Sequence, residues 1–229
     1  FVSKMGPRYG LKVNDRELAC APFQSEDGQA YFAAMQCAVN HSFANRQVIL
    51  HRVREVFSDV FGKDPSDLGL EQIYDVTHNT AKLETHRVGQ ETRKLLVHRK
   101  GATRAFPPGS GEIPDAYREI GQPVIIGGSM ETGSYLLVGV AEGAPAFYTT
   151  AHGSGRTMGR RQAKRKFQGT KIKEEMRSRG IYVANVSNSG LAEEAGGAYK
   201  NIDDVVSATE EAGISKAVVK LVPIGNVKG

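Results

Sequence analysis

Apolar residues recur at helical spacing in the first third of the chain. Phe32, Met35, Val39 and Phe43 follow i, i+3, i+7 and i+11 spacing, and the pattern continues at Val48, Val53, Phe57 and Val60. Ser25 followed by acidic residues favours a helix start, whereas Gly62 and Pro65 favour its end. The pattern predicts a two-part helical hairpin or one long bent helix, packed on the rest of the protein.

From residue 72 the apolar positions take the shorter period of β-strands. Strands separated by glycine and proline turns are predicted at 72–76, 94–98, 124–126, 135–140, 146–150, 181–186 and 217–222. Helical spacing returns at 160–167, 171–179 and 202–212. Because strands cluster between helices in irregular order, we predict an α+β fold, with a mixed, largely antiparallel β core flanked by helices and a long N-terminal helical stretch.

Length and composition are typical of a soluble globular protein. The chain has 229 residues, 40% of them apolar, enough for one domain with a large core. No apolar run reaches the roughly 18 residues of a membrane span, and no secretory signal is visible. Cys20 and Cys37 imply neither a disulfide framework nor a zinc knuckle, so we expect a reducing cytoplasm. Because the sequence begins with Phe1 and not with methionine, we expect a fragment of a longer protein.

The positive charge is concentrated in one segment. Residues 152–179 carry ten Lys and Arg against two Glu, a net charge of +8 in a chain whose total is +5. A solvated helix face is the ordinary interpretation of such a segment. Its position directly after a candidate phosphate loop favours a polyanionic substrate.

That candidate loop surrounds His152. The β-prone residues 147–150 lead into His152, Gly153, Ser154, Gly155 and Arg156. Glycines let backbone N–H groups approach a ligand, an imidazole can attack phosphorus, move a proton or bind a metal, and an arginine can neutralise phosphoryl oxygens. The competing interpretation is a histidine in an ordinary glycine turn.

Three further segments contain groups suited to phosphate or metal. His78 and Asn79 follow a predicted strand, three cations surround Gly101, and glycines and hydroxyls fill 127–135. Simple hydrogen bonding, surface solvation and a plain turn are the respective alternatives. Segments 153–159 and 128–133 fail the dinucleotide fingerprint and the P-loop pattern, respectively. His41, His51 and His86 are assigned no role, since they lie in helical or surface contexts without identifiable partners.

Five ordered motifs together resemble one family. They are 98–109 (HRKGATRAFPPG), 121–130 (GQPVIIGGSM), 150–156 (TAHGSGR), 198–200 (AYK) and 223–229 (PIGNVKG). In this order they are similar to the RtcB-type RNA-splicing ligases over nearly the whole chain. The resemblance implies a GTP- and Mn²⁺-dependent RNA ligase that joins RNA 3′-phosphate or 2′,3′-cyclic phosphate ends to 5′-hydroxyl ends through a histidine–GMP intermediate, in tRNA splicing or RNA repair.

The resemblance also assigns residues. His152 resembles the nucleophile and His78 a Mn²⁺ ligand, while Arg156 and Arg160 resemble clamps for GTP or RNA phosphates. The residues that resemble guanylate contacts are Asn79, Gly127, Gly128, Ser129, Met130, Ser134, Gly153, Ser154, Gly155, Tyr199 and Lys228. Implied partners are RNA, such as tRNA halves or broken ends, and GTP; the resemblance allows for an accessory activating protein and implies no membrane.

Two features depart from the family pattern. Gly127 and Glu131 stand where the family has proline and glycine, so we expect Glu131 to bring negative charge close to the nucleotide. The other metal ligands of the family lie in an N-terminal half that this chain lacks. We therefore interpret residues 1–229 as the C-terminal portion of one catalytic domain, unable to assemble a two-metal site alone. A non-catalytic RNA-binding protein and another histidine-dependent phosphotransferase are the alternatives.

Overall fold

The structure is a computed structural model that describes residues 8–10, 13–15 and 18–228, with Lys228 described by its backbone alone. The chain forms two compact units, residues 1–75 and 76–229. Among the described residues, none of the helices combines the length and apolar character needed to cross a bilayer.

The first unit contains one long helix, α1 (Glu26–Phe61, 36 residues). The Ser25 side chain accepts a hydrogen bond from the Gly28 N–H, and Gly62 closes the helix with φ 62°, as the sequence predicts for both ends. Of the two predicted forms, the structure has a single helix and no hairpin.

The predicted strand at 72–76 is wrong, because this segment has irregular backbone. Two of its side chains pair with α1 instead: Arg46 Nε donates to Asp75 Oδ1 at 2.6 Å, and Gln47 Nε2 donates to Gln72 Oε1 at 2.8 Å. Side-chain hydrogen bonds to the helix thus replace a β-ladder there.

The second unit carries all nine strands of the described chain. A hairpin pairs β1 (Asn79–Val88) with β2 (Glu91–Lys100), and β3 (Ala102–Arg104) pairs with β6 (Thr149–Ala151). An antiparallel sheet has the order β4 (Pro123–Gly127), β5 (Ser134–Gly139), β8 (Ser215–Leu221), while β7 (Tyr182–Asn185) pairs in parallel with β9 (Gly225–Lys228). The predicted α+β class with a largely antiparallel core is confirmed.

Four helices complete this unit: α2 (Arg160–Lys166), α3 (Gly169–Ser178), α4 (Asn188–Glu193) and α5 (Ile202–Glu211). One core cluster joins α5 to β4 and β5 through Ile126, Leu137, Ile202 and Val206. A second joins α3, α4 and β7, and the Met130 side chain belongs to it. Helices α2, α3 and α5 lie where the sequence predicts them, whereas the short helix α4 was not predicted.

A buried ionic cluster, the Glu84 cluster, lies on the hairpin and consists of Glu84, His86, Arg99 and Arg104. Arg99 donates to both Glu84 oxygens, at 2.8 and 2.9 Å, and His86 Nε2 donates to Oε2 at 2.8 Å. Arg104 Nε lies 3.1 Å from Oε1. Burial alone would raise the pKa of Glu84, but the hydrogen bonds from Arg99 and His86 hold it below its usual value.

This cluster explains two errors of the sequence analysis. Strand β1 was missed because its inward positions Thr80, Glu84 and His86 are polar, so the apolar alternation of a strand is absent. His86 was placed at the surface without a partner, but it is 5% exposed and bonded to Glu84.

Candidate active site

The loop after β6 places His152 next to the end of β4. Register pairs Ala151 with Ala102, and the chain then forms a parallel bridge between Gly127 and Gly153. Gly127 N donates to the His152 carbonyl at 3.2 Å, and Ser154 N donates to the Gly127 carbonyl at 2.8 Å. The two glycine loops predicted from sequence therefore lie side by side.

The imidazoles of His78 and His152 stack on each other. Their ring centroids are 4.5 Å apart and their planes differ by 6°. His78 directly precedes β1, and its carbonyl accepts the Gly101 N–H at 2.8 Å from the residue that follows β2. The Asn79 side-chain oxygen also accepts from Gly101 N, at 3.0 Å. Hydrogen bonds thus join the start of β1 to the residue that follows β2, next to the stacked histidines.

The surroundings of His152 favour its neutral form. Burial lowers the pKa of His152, and the neighbouring His78 and Lys100 lower it further because they disfavour a second positive charge. A neutral imidazole has the free lone pair that a nucleophile or a metal ligand requires.

Gly101 is a site residue whose importance the sequence analysis missed. It has φ +66°, and a Cβ placed on it would lie 3.3 Å from His152 Nε2. The sequence prediction for this segment relied on the three cations around Gly101, whereas the informative feature is the glycine itself. The imidazole packs against the space that the absent side chain leaves.

The loop between β4 and β5 is fixed by internal bonds. Gly128 N donates to the Gly133 carbonyl at 2.9 Å, and Ser129 N donates to Thr132 Oγ1 at 3.0 Å. Ser134 is the first residue of β5, whereas the Met130 side chain is buried in the core and its carbonyl accepts from Asn226 Nδ2 at 3.2 Å.

Glu131 has protein partners in this loop. Its Oε1 accepts from the Gly196 N–H at 3.2 Å, and its Oε2 lies 3.2 Å from Arg179 Nη1. The expectation that Glu131 brings negative charge close to the nucleotide stays a prediction, and the structure shows that this charge is paired with Arg179. Its carboxylate ties the β4–β5 loop to the segment that leads into Tyr199.

Arg156 and Tyr199 form a hydrogen-bonded pair next to the loop that contains His152. Arg156 donates to Tyr199 Oη at 2.9 Å, to the Met158 carbonyl at 3.1 Å and to the Glu193 carbonyl at 2.5 Å. Tyr199 Oη donates in turn to Glu194. The hydrogen-bond partners of the Arg156 side chain in this structure are therefore groups of the protein. Arg160 is different, because its side chain is 71% exposed and lies 3.9 Å from Glu193.

Ser154 contributes an unpaired polar atom. The residue is 3% exposed, and its Oγ has no hydrogen-bond partner among the residues the structure describes. A buried hydroxyl without a partner is costly unless a ligand or water satisfies it. The orphaned hydroxyl, the adjacent Gly155 at φ 72° and the bridged glycine loops fit a site for an anionic ligand.

Two further predictions concern the metal ion and the contact of Lys228 with the nucleotide. Over residues 8–10, 13–15 and 18–228, no group of three or more His, Cys, Asp or Glu side chains is arranged to hold a metal ion. The backbone of Lys228 pairs with Asn185 in the β7–β9 sheet, but its side chain lies outside the described residues.

Comparison with known proteins gives the family. The model of the family described as "tRNA-splicing ligase RtcB" matches residues 1–229. A tRNA-splicing ligase RtcB of Archaeoglobus fulgidus is 53% identical over 97% of this chain and 46% of its own length. That of Thermococcus kodakarensis is 50% identical over 100% of this chain and 48% of its own. An RNA-splicing ligase RtcB of Mycobacterium tuberculosis is 49% identical over 97% of this chain and 50% of its own length.

The chain therefore belongs to the RtcB family. It spans about half the length of these three relatives. Of other relatives it spans about a quarter, as in the tRNA-splicing ligase RtcB of Pyrococcus abyssi, where the match covers 24% of that protein.

Proposed function

We propose that this chain carries the nucleophile of a GTP- and Mn²⁺-dependent RNA ligase that joins RNA 3′-phosphate or 2′,3′-cyclic phosphate ends to 5′-hydroxyl ends. The observation that carries the proposal is the stacked pair of His78 and His152 beside the bridged glycine loops. A neutral imidazole, an orphaned hydroxyl and glycine N–H groups form a set suited to phosphoryl transfer.

The chemistry assigned to His152 is nucleotidyl transfer. A ring nitrogen attacks the α-phosphorus of GTP, a P–N bond forms, and the bond to pyrophosphate breaks. The GMP group then passes to an RNA 3′-phosphate, the 5′-hydroxyl of the second RNA end attacks that activated phosphate, and GMP leaves. Gly153, Ser154 and Gly155 would hold phosphate oxygens, and Gly101 would keep the space that the imidazole occupies.

The histidine pair also fits a bound metal ion. Imidazole nitrogens are ordinary ligands for divalent transition metals, and His78 lies close enough to His152 for both to face one phosphate. When bound, Mn²⁺ would withdraw charge from phosphoryl oxygens. In this proposal the remaining ligands come from the part of the relatives' length that this chain does not span.

Covalent labelling tests the proposal. The full-length protein is incubated with Mn²⁺ and α-labelled GTP, and we expect an acid-labile label on the protein that is released when RNA with a 3′-phosphate is added. A protein that binds RNA but takes no label would be a non-catalytic RNA-binding protein. Label transferred only to small acceptors would indicate another histidine-dependent phosphotransferase.

Gly101 gives a prediction with a close control. Gly101→Ala should slow guanylylation several-fold, because the new Cβ would displace the His152 ring, and should cost about 1 kcal/mol of stability from its left-handed φ. Gly89→Ala has a similar φ of +63° but no atom within 4 Å of the added Cβ. Thermal unfolding should show the backbone loss of about 1 kcal/mol in both variants, whereas labelling should slow only in the first. Equal labelling rates would contradict the role given to Gly101.

The basic helix α2 gives a prediction about RNA affinity. Arg161 and Arg165 are exposed and lie one helical turn apart. Arg161→Gln with Arg165→Gln should weaken RNA binding and reduce the slope of log affinity against log salt by about 0.7 for each lost single-strand phosphate contact. Lys63→Gln with Lys94→Gln, both exposed and outside this helix, is the control. An unchanged salt slope in the α2 variant would exclude this helix from the RNA path.

A further inference from the structure

Arg99 has more hydrogen-bond partners than its ion pair requires. Its side chain is 0% exposed and uses two nitrogens to hold both oxygens of Glu84. Buried ion pairs often contribute little net stability, because desolvation of both charges offsets their attraction. The remaining donors of Arg99 therefore indicate what else the side chain does.

Those donors reach the segment that leads to His152. Arg99 Nη2 donates to the Phe147 carbonyl at 2.9 Å, and Nε donates to Thr149 Oγ1 at 3.0 Å. Thr149 Oγ1 also lies within 3.3 Å of the Phe147 carbonyl. Thr149 is the first residue of β6, which ends at Ala151 immediately before His152. Arg99 thus hydrogen-bonds to the first residue of β6 and to the segment just before it.

The backbone at that point is held in an unfavourable conformation. Phe147 and Tyr148 have φ values of 51° and 48°, in the left-handed region that non-glycine residues rarely adopt. The β-prone sequence predicts extended backbone there, and β6 begins at Thr149 instead of residue 146 for this reason. Such a conformation persists only where surrounding contacts determine it.

The Glu84 cluster supplies several of these contacts. The ring of His86 lies 5.1 Å from that of Phe147 and 6.0 Å from that of Tyr148, measured between centroids. Arg104 belongs to β3, which pairs with β6 over three residues only. A ladder this short leaves the direction of β6 dependent on what holds its first residue.

We propose that Arg99, held in place by Glu84, is a positioning residue that fixes the start of β6 and thereby the location of the His152 imidazole. This inference rests on the proposed function of His152. Arg99 acts through the backbone of β6 and not by contact with the substrate. A lysine at this position keeps the charge but cannot bond to Glu84, Phe147 and Thr149 at once, because it lacks the planar fork.

Two variants and one control test the proposal in the full-length protein. Arg99→Lys should lower kcat for RNA joining by about 10- to 100-fold with KM for GTP unchanged, because misplacing a reacting group lowers the rate of the chemical step. Thr149→Val removes the hydroxyl that Arg99 Nε reaches, together with the contact of that hydroxyl with the Phe147 carbonyl, and should lower kcat in the same sense by a smaller factor. Arg93→Lys makes the same change on an exposed residue of β2, whose side chain is 58% exposed, and should match the wild type.

A second measurement does not depend on GTP or metal. Amide hydrogen exchange of residues 147–155 should be faster in Arg99→Lys and Thr149→Val than in the wild type and Arg93→Lys, with the α5 and β8 amides unchanged. If Arg99→Lys does not fold, Thr149→Val decides the matter by both measurements.

The outcomes separate the two proposals. Wild-type kcat and exchange in Thr149→Val would overturn the role of Arg99, as would a raised KM with unchanged kcat. If the wild-type protein takes no label at all, the proposed function fails, and the exchange rates alone then decide whether Arg99 holds β6.

Discussion

His152→Ala abolishes covalent attachment of GMP and, with it, the joining of RNA ends: this is the largest effect we expect. No other histidine ring stacks on His78 among the aromatic contacts of the described residues, and the glycine loops meet at the His152 backbone. Loss of a covalent nucleophile typically removes four or more orders of magnitude, so we expect a reduction of at least about 10⁴-fold. The label on the protein after denaturing electrophoresis, and the yield of joined RNA, are the two measurements.

His41→Ala is the matched control for this variant. His41 is an exposed residue of α1, so its loss removes an imidazole without touching the glycine loops. Labelling at the wild-type level is expected for His41→Ala. A His152→Ala protein that still accepts GMP at the wild-type rate would show that another residue is the nucleophile.

His78→Phe should reduce both guanylylation and RNA joining by at least about 100-fold, because loss of the proposed metal ligand would weaken the metal site and the charge withdrawal it would supply. Phenylalanine keeps a flat ring next to His152 but has no nitrogen to donate to a metal ion. His78→Ala removes both the ring and the nitrogen. We expect the two variants to be equally impaired, and titration with Mn²⁺ followed by electron paramagnetic resonance should show weaker binding in both.

The comparison between the two His78 variants separates ligation from packing. The rings are 4.5 Å apart and nearly parallel, a geometry that packing alone could also use. If His78→Phe labels at the wild-type rate while His78→Ala does not, His78 serves only to support the His152 ring.

Apolar periodicity predicted the parts of the fold in which burial is apolar. The ends of α1 were evident from Ser25 and Gly62, and β4, β5 and β8 from their branched apolar residues. Strand β1 was hidden because its buried face is made of Thr80, Glu84 and His86. A strand that buries ions needs its partners from β2 and β3, and no local pattern shows those partners.

Local preference also failed where tertiary contacts override it. Phe147 and Tyr148 are residues typical of strands, yet both are left-handed: Phe147 ends the 3-10 helix Ala141–Ala146, and its carbonyl accepts from Arg99. Arg156 was predicted to clamp phosphates and Glu131 to lie close to the nucleotide. In the structure Arg156 donates to Tyr199 Oη and to the Glu193 carbonyl, and Glu131 pairs with Arg179. A sequence shows the charge of a residue but not the partner that satisfies it.

The candidate site was predicted from the composition of its loops and from motifs, and not from spacing. His78 and His152 are far apart in the sequence, and the β1–β2 hairpin and the β3–β6 pairing bring them together. The resemblance singled out both histidines, but their stacking and the part played by Gly101 required the structure.

The β1–β2 hairpin suggests where this protein can be altered safely. Each strand has ten residues, so the turn at Gly89 and Gln90 lies roughly 30 Å along the strands from the end that carries His78 and Gly101. We expect a fluorescent dye or an affinity tag inserted at that tip to leave the stacked pair of His78 and His152 in place. The hairpin tip is thus a position at which a label could report on the proposed reaction.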